Sequence, residues 1–476
     1  MTSTAATGLT EEIARLAVEW HHPQPLDAMD LAERAVVDTV GVALASAQDP
    51  TVTALLRGIG PDCNGGPARV WAHHLSSDAR TTALANGACA HALDFDDVDD
   101  QMIGHPSAVL VPTVMALGQD TDVSGERVLE SYWVGLAACR ALAAALDIDT
   151  HYQTGWHSTG TIGAVAAAAA GVRLLALTVE QARHALGIAG SLAAGSRQNF
   201  GTMTKPLHAG IAASNGVLAA KLARAGFTAD ISQLEQPLGY LALHDASPGW
   251  RRVSADLMNE PALNVKLHAC CYYIHAAADA MLELVSAGLQ PQQVARIVVT
   301  GPPDGFGALI HHRPTTGLEG KFSMEYAMAA CLLDHALGLT TFTDESVNRP
   351  DARRLIAAVE LETATTPPTG SPEWQWGYAV VTVTTTDGRT LVSRVDKPRG
   401  HASKPLSEAD LRQKFDDCLA YGGFEPNDDL YGALRGLRAI GSLKQVADLR
   451  SELAGRSEAS WLDPPTPGVP VRGPVG

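Results

Sequence analysis

This chain of 476 residues has no cysteine framework. Its seven cysteines (Cys63, Cys89, Cys139, Cys270, Cys271, Cys331 and Cys418) are odd in number, scattered, and contain no Cys-x-x-Cys pair. That pattern excludes a zinc module and a disulfide scaffold, and it predicts a reducing, cytoplasmic setting. Aromatic residues make up only 5% of the chain, whereas alanine is abundant, which favours closely packed helices over large sheets. Basic charge is also scarce. At a formal net charge of −17, nucleic acid and anionic membrane are poor partners, although a local basic pocket can still capture a small anion. The first twenty residues lack a basic n-region and a long apolar h-region, so no signal peptide is expected. The most apolar run, Thr161 to Leu177, is mostly alanine and carries Arg173, which predicts a buried core helix and no membrane span.

The length exceeds what one simple core accommodates. From Thr10 to Gly226 apolar residues recur at helical spacing, and helices are expected over 31–47, 78–93, 108–118, 125–146, 161–177, 179–194 and 207–225. Thr178 and Gln181 form a capping box for one of them. The texture changes after about residue 260. ARIVVTG (295–301) is strand-like, and β-branched runs over 378–386 and 389–396 flank an Asp387-Gly388 turn, a hairpin signal. Helices over 267–287, 322–337 and 351–359 interleave with these strands, and further helices are expected over 407–420 and 441–454. The expected architecture is therefore mainly α with a smaller α+β domain. A large all-helical domain is formed from both chain ends, residues 1–262 and 405–456. The α+β domain, 263–404, is inserted between them, and 457–476 is a Pro- and Gly-rich tail.

Chemistry concentrates in a few polar stretches. HALDFDDVDDQMIGHPS (91–107) places five aspartates (Asp94, Asp96, Asp97, Asp99, Asp100) between His91 and His105, inside an apolar, helical region. Such a cluster is costly to fold unless it has a task. Three readings are open: carboxylate and imidazole ligands for a divalent ion, a general base with raised proton affinity, or a solvated acidic loop with helix caps. The spacing matches neither an EF-hand nor a His-Glu-x-x-His site. His157 precedes a helix start, where free N–H groups can receive a carboxylate, though a histidine there can equally cap or pack. Lys205 sits in a Gly/Thr loop before a helix, suited to clamp a carboxylate or move a proton, yet a lone lysine is commonly a surface residue. Cys270 and Cys271 follow Lys266 and His268; a nucleophilic Cys–His pair is conceivable, and two packed small residues are the plainer reading.

Taken in order, HALDFDD…HPS, GWHSTGTIG (155–163), GTMTKPLHAG (201–210), Lys266 before the cysteine pair and GLEGKFSMEYA (317–327) resemble the MmgE/PrpD family. That family includes 2-methylcitrate dehydratase, cis-aconitate decarboxylase and iminodisuccinate epimerase. The resemblance implies a homodimer and chemistry in an interdomain cleft without metal or other cofactor. It places Asp94, His105, His157 and Tyr326 in proton transfer and positioning, with Lys205 and Lys266 binding substrate carboxylates. Two positions depart from the decarboxylase pattern: Val98 stands where a threonine is expected and Cys271 where a histidine is expected, and the 94–105 loop is one residue longer. The sequence therefore favours a 2-methylcitrate dehydratase-like lyase that moves a proton next to a carboxylate of a small di- or tricarboxylate. The alternatives are an iminodisuccinate-type epimerase, a cis-aconitate-type decarboxylase and a non-catalytic carboxylate-binding relative.

Overall fold

The computed structural model describes residues 8–19, 26–60, 63, 65–71, 73–244, 263–371 and 378–446. The chain is mainly helical with a smaller α+β part. In the first half, α1 (Leu9–Glu19), α2 (Leu26–Ala45) and α3 (Pro50–Ile59) are followed by a two-residue ladder of β1 (Ala68–Arg69) and β2 (Ser76–Ser77). Then come α4 (Ala79–Ala92), the short strand β3 (Val98–Asp99), α5 (Ser107–Thr121), α6 (Gly125–Ala145), α7 (Ile148–Gln153), α8 (Ser158–Leu174), α9 (Val179–Leu192), α10 (Thr204–Arg224) and α11 (Tyr240–Leu243). Side-chain oxygens of Asp78, Ser124 and Thr178 accept from the first free amides of α4, α6 and α9. The helix α6 is long and apolar enough to cross a bilayer, but 89% of its most apolar window is buried inside the protein, as in a core helix.

Alanine and glycine set how closely these helices approach. The helix α10 packs along both α4 and α8. On one side a Cβ at Gly210 would lie 2.3 Å from the Leu84 carbonyl oxygen, and on the other a Cβ at Gly216 would lie 2.3 Å from the Ala167 Cβ. The pairs Gly87/Gly210 and His91/Lys205 run in opposite order, so α4 and α10 are antiparallel and the C-terminal end of α4 meets the N-terminal end of α10. Gly210→Val is expected to force these helices apart, with a stability loss of about 1–3 kcal/mol and a lower Tm. Because the pair sits just beyond the His91–Lys205 contact, ligand binding should weaken as well. An unchanged Tm would show that the close approach does not hold the two helices.

The second half opens with β4 (Leu263–Asn264), which pairs antiparallel with β3 inside the aspartate loop. After α12 (His275–Ser286) come β5 (Val294–Gly301), α13 (Gly317–Gly320), α14 (Met324–Asp334), α15 (Asp344–Asn348), α16 (Pro350–Ile356), β6 (Val359–Thr363), β7 (Ala379–Thr385) and β8 (Thr390–Val395). The sheet order is β6-β5-β7-β8, with β5 and β6 parallel and the other pairs antiparallel. The hairpin turns where Asp387-Gly388 predicted, with Gly388 at φ 85°. The strand β6 corrects the helix expected over 351–359. The helix stops at Ile356, and Val359–Thr363 forms an edge strand. Its exposed Glu360 and Glu362 pair with Arg296 of β5, and these charges obscured the strand pattern.

The helices α17 (Glu408–Gly422) and α18 (Asp428–Arg435) pack on α2, and Leu411, Phe415, Leu419, Leu430 and Leu434 enter the apolar core of the first half. The sequence had missed α18. Of the helix expected over 441–454, only the part up to residue 446 is described, and the 457–476 tail lies outside the described residues. A second core gathers α12, α14 and the sheet, and it takes in Leu93, Phe95, Tyr152 and Phe200 from the first half. The aspartate loop is thus held between the two cores.

Candidate active site

The five aspartates separate into different roles once folded. Asp94 follows the end of α4 in the left-handed region, at φ 51°, a conformation that aspartate tolerates better than most residues. There its Oδ1 accepts from Lys205 Nζ at 3.1 Å and Lys266 Nζ at 2.8 Å, and Lys266 also reaches the Asp94 carbonyl at 2.8 Å. Asp94 is 3% exposed, and its Oδ2 is buried with no hydrogen-bond partner among the described residues. Burial pushes this carboxyl up, but the two ammonium groups outweigh it and hold Asp94 well below the usual carboxylate range. Lys266, fully buried, is raised: burial lowers it, and the Asp94 and Asp96 carboxylates more than compensate.

The neighbouring carboxylates support this centre. Asp96 accepts from His91 Nδ1 at 2.9 Å and faces His105 Nδ1 at 3.1 Å. Burial opposes its ionisation, yet the two histidines hold it well below the usual range. Asp97 is raised well above that range by burial and by the nearby Asp38, and it bonds Ser107, which in turn meets the Tyr132 hydroxyl at 2.7 Å. The carboxyl of raised proton affinity in this cluster is therefore Asp97, away from the cavity. Asp94 is the opposite, an ionised carboxylate between two ammonium groups. Asp99 pairs with buried Arg140 at 3.1 Å, and Asp100 accepts from Asn264 at 2.7 Å. Beneath the loop, Lys414 of α17 bonds the Phe95 carbonyl at 2.9 Å and pairs with Asp38 at 2.6 Å.

The histidines are neutral. Lys205 Nζ donates to His91 Nε2 at 2.8 Å, so the His91 proton lies on Nδ1, toward Asp96. His105 Nδ1 lies 3.0 Å from the Asp97 carbonyl and 3.1 Å from Asp96, so its proton is there too, leaving Nε2 as a lone-pair nitrogen 3.7 Å from Asp94 Oδ1. Burial, with the nearby lysines, depresses His105 to about 3. His157 occupies the N-cap position of α8 without using its side chain as a cap. Its ring is buried, and its Nδ1 meets His208 Nδ1 at 3.0 Å. Burial and Lys205 hold His157 well below an ordinary imidazole, and burial lowers the half-buried His208 to about 4.

A narrow cavity opens onto Asp94, His105, His157 and Lys205, with Val98, Phe200, Cys271 and Phe322 as apolar walls. The Lys205 ammonium lies between two rings, 5.4 Å from Phe200 and 5.3 Å from Phe322. Lys266 is behind Asp94, brought there by the β3–β4 pairing that ties the start of the second half to the aspartate loop. Five of the six expected site residues (Asp94, His105, His157, Lys205 and Lys266) therefore gather in one place. Tyr326 does not join them. It lies on α14, buried against Phe342, and its hydroxyl donates to the Thr341 carbonyl at 2.6 Å, so it is corrected to a packing residue of the second core. Cys271, pushed up by burial to about 11, and Cys270, raised further, are packed thiols and no nucleophilic pair. Sequence reasoning missed Lys321, which bonds the Leu93 carbonyl from the second half and which burial lowers to about 8. It also missed the role of His208. Both lie within motifs already singled out, five and three residues from positions assigned there, Tyr326 and Lys205.

His91, Asp94, Asp96 and His105 bring potential metal-ligand atoms within 4.8 Å of one another. The charge distribution opposes a divalent ion here. Asp94 already balances two ammonium groups, and the Lys205 ammonium occupies the lone pair of His91.

The MmgE/PrpD N-terminal domain matches residues 11–252, and the MmgE/PrpD C-terminal domain matches residues 268–428. The chain belongs to the MmgE/PrpD family. It is 31% identical over 350 residues to a cis-aconitate decarboxylase of Homo sapiens, covering 70% of this chain and 71% of that protein. It is 26% identical over 448 residues to a cis-aconitate decarboxylase of Aspergillus terreus, covering 87% of this chain and 89% of that protein.

Proposed function

We propose that this protein is a cofactor-free lyase that forms a carbanion next to a carboxylate of a small carboxylic acid. The observation that carries this reading is the Asp94–Lys205–Lys266 cluster, buried and facing a cavity that also presents two neutral imidazoles. A carbanion conjugated to a carboxylate places charge on its oxygens, and Lys205 is placed to neutralise it. One such donor contributes roughly 3 kcal/mol at the transition state.

Decarboxylation fits this environment better than the dehydration expected from the sequence, and the similarity to cis-aconitate decarboxylases supports it. Dehydration needs an imidazolium-strength acid for the departing hydroxyl, and His105 and His157 are held neutral, with N–H groups acidic enough only for a strongly basic carbanion. In decarboxylation the C–C bond breaks, its electron pair stays on carbon, and carbon dioxide leaves without a proton. A carboxylate against Val98 and Phe322 is poorly solvated and is relieved as it becomes neutral. The carbanion then takes the N–H proton of the neutral His157 ring while His208 passes its own across the 3.0 Å contact, and the half-buried His208 regains a proton from water.

The test is incubation with unsaturated di- and tricarboxylates and with 2-methylcitrate in D₂O containing EDTA, followed by NMR. Release of carbon dioxide with one deuterium at the carbon it left supports the proposal. Loss of water from 2-methylcitrate without carbon dioxide would assign the dehydratase reaction, and activity restored only by one divalent ion would overturn the metal-free mechanism.

A further inference from the structure

The inner cavity does not end at the aspartate loop. Ile103, Tyr152, Tyr272 and Tyr273 form a wall that it shares with a larger chamber of about 430 Å³. This outer chamber is bounded on its far side by Phe306 and Tyr378 of the second half. Five aromatic rings thus line it, and the Tyr272 hydroxyl on the shared wall is buried with no hydrogen-bond partner among the described residues.

Charge is distributed unlike a site for a highly charged anion. Among the described residues Lys205 is the only lysine or arginine on the inner-cavity lining, and it already serves Asp94, as does Lys266 behind it. The imidazoles of His105 and His157 add no positive charge. The outer chamber is lined by Asp100, Asp149, Asp304 and Asp396 against Arg197, whose guanidinium donates to the Tyr152 and Gly307 carbonyls. A third carboxylate on a ligand would find Arg197 as the one guanidinium or ammonium among the described residues lining the outer chamber, already bonded to two backbone carbonyls, and it would face four aspartates on the way in.

Building on the proposed carbanion chemistry, we propose that the outer chamber is a substrate-tail subsite. The substrate is an acid with at most two carboxylates, held at Lys205, and a bulky uncharged, largely apolar tail lying against Tyr152, Tyr272, Tyr273 and Phe306. Val98 and Cys271, where the resemblance called for a threonine and a histidine, remove polar groups from the same lining.

Calorimetric titration with three saturated acids at fixed ionic strength tests this: succinate, tricarballylate with its third carboxylate, and 2-benzylsuccinate with an aromatic tail. The expected order is 2-benzylsuccinate about tenfold tighter than succinate, from burial of the ring, and tricarballylate weakest. Phe306→Ala should bring the ratio of 2-benzylsuccinate to succinate affinity toward one. Tricarballylate binding tightest, or a ratio untouched by the tail, overturns the subsite. Lys205→Met distinguishes the two levels. If it weakens all three acids while tricarballylate remains tightest in the wild type, only the tail subsite fails. If it changes none of them, or if none of the acids binds the wild-type protein, the carboxylate reading itself fails.

Discussion

His157→Gln is expected to lower turnover by roughly 10²-fold or more, the range for loss of a positioned proton donor or acceptor, with Tm almost unchanged. The separation of the two effects follows from the site geometry. His157 is the N-cap residue of α8, but its side chain caps nothing, so glutamine removes no helix-ending bond. Among the described residues the imidazole has one hydrogen-bond partner, His208, which a glutamine amide can still meet. Glutamine cannot carry a proton between its two ends as imidazole does. A pH profile sharpens the test. An essential imidazole of ordinary pKa, about 6.5, makes kcat/KM fall as the pH drops below that value. Here burial holds His105 at about 3 and His157 well below its usual value, so both stay neutral. No acid limb is expected in wild-type kcat/KM between pH 7 and pH 5. A variant that loses stability while its folded fraction turns over normally would make His157 part of the scaffold.

The parts of this protein governed by local pattern were legible in its sequence. The spacing of alanine, valine and leucine marks α4, α5, α6, α8, α9 and α10, and Asp387-Gly388 marks the β7–β8 hairpin, because each signal lies within a few residues. The aspartate run shows where local reading stops. Five carboxylates in a row look alike, yet Asp94 meets two lysines, Asp97 a serine and Asp99 an arginine. Ser107 is ten residues from Asp97, but the arginine and the two lysines lie 41, 111 and 172 residues from their aspartates, and no spacing rule connects them. The family motifs did carry Lys205 and Lys266 to the site. They also carried Tyr326, whose phenol faces the Thr341 carbonyl in the second core. A motif locates a stretch of chain, and the direction of a side chain follows from its packing. His208 and Lys321 were overlooked for the same reason: their roles depend on a histidine 51 residues away and a carbonyl 228 residues away.

Asp94→Asn should abolish activity and destabilise the protein together, unlike His157→Gln. Removing the carboxylate charge leaves the ammonium groups of Lys205 and Lys266 buried without their shared anion. Breaking a buried ion pair from one side costs about 3–5 kcal/mol. The pH dependence gives the sign. In the wild type the Asp94 carboxyl is lowered and Lys266 is raised, so their contribution is present across neutral pH. It is lost as pH falls through the depressed carboxyl value, or rises through the elevated lysine value. In Asp94→Asn, burial acts on Lys266 with its main partner gone, so its pKa should fall below that of the unfolded chain. The unfolded state then binds more protons, and stability should rise from neutral pH toward about pH 10, while the wild type shows no such rise from this pair. Adding Lys266→Met to Asp94→Asn removes one stranded charge and should recover part of the lost Tm without recovering turnover. Thermal unfolding of the wild type and both variants across that pH range checks each sign. An Asp94→Asn protein as stable as the wild type at every pH would show that the two lysines do not depend on this carboxylate.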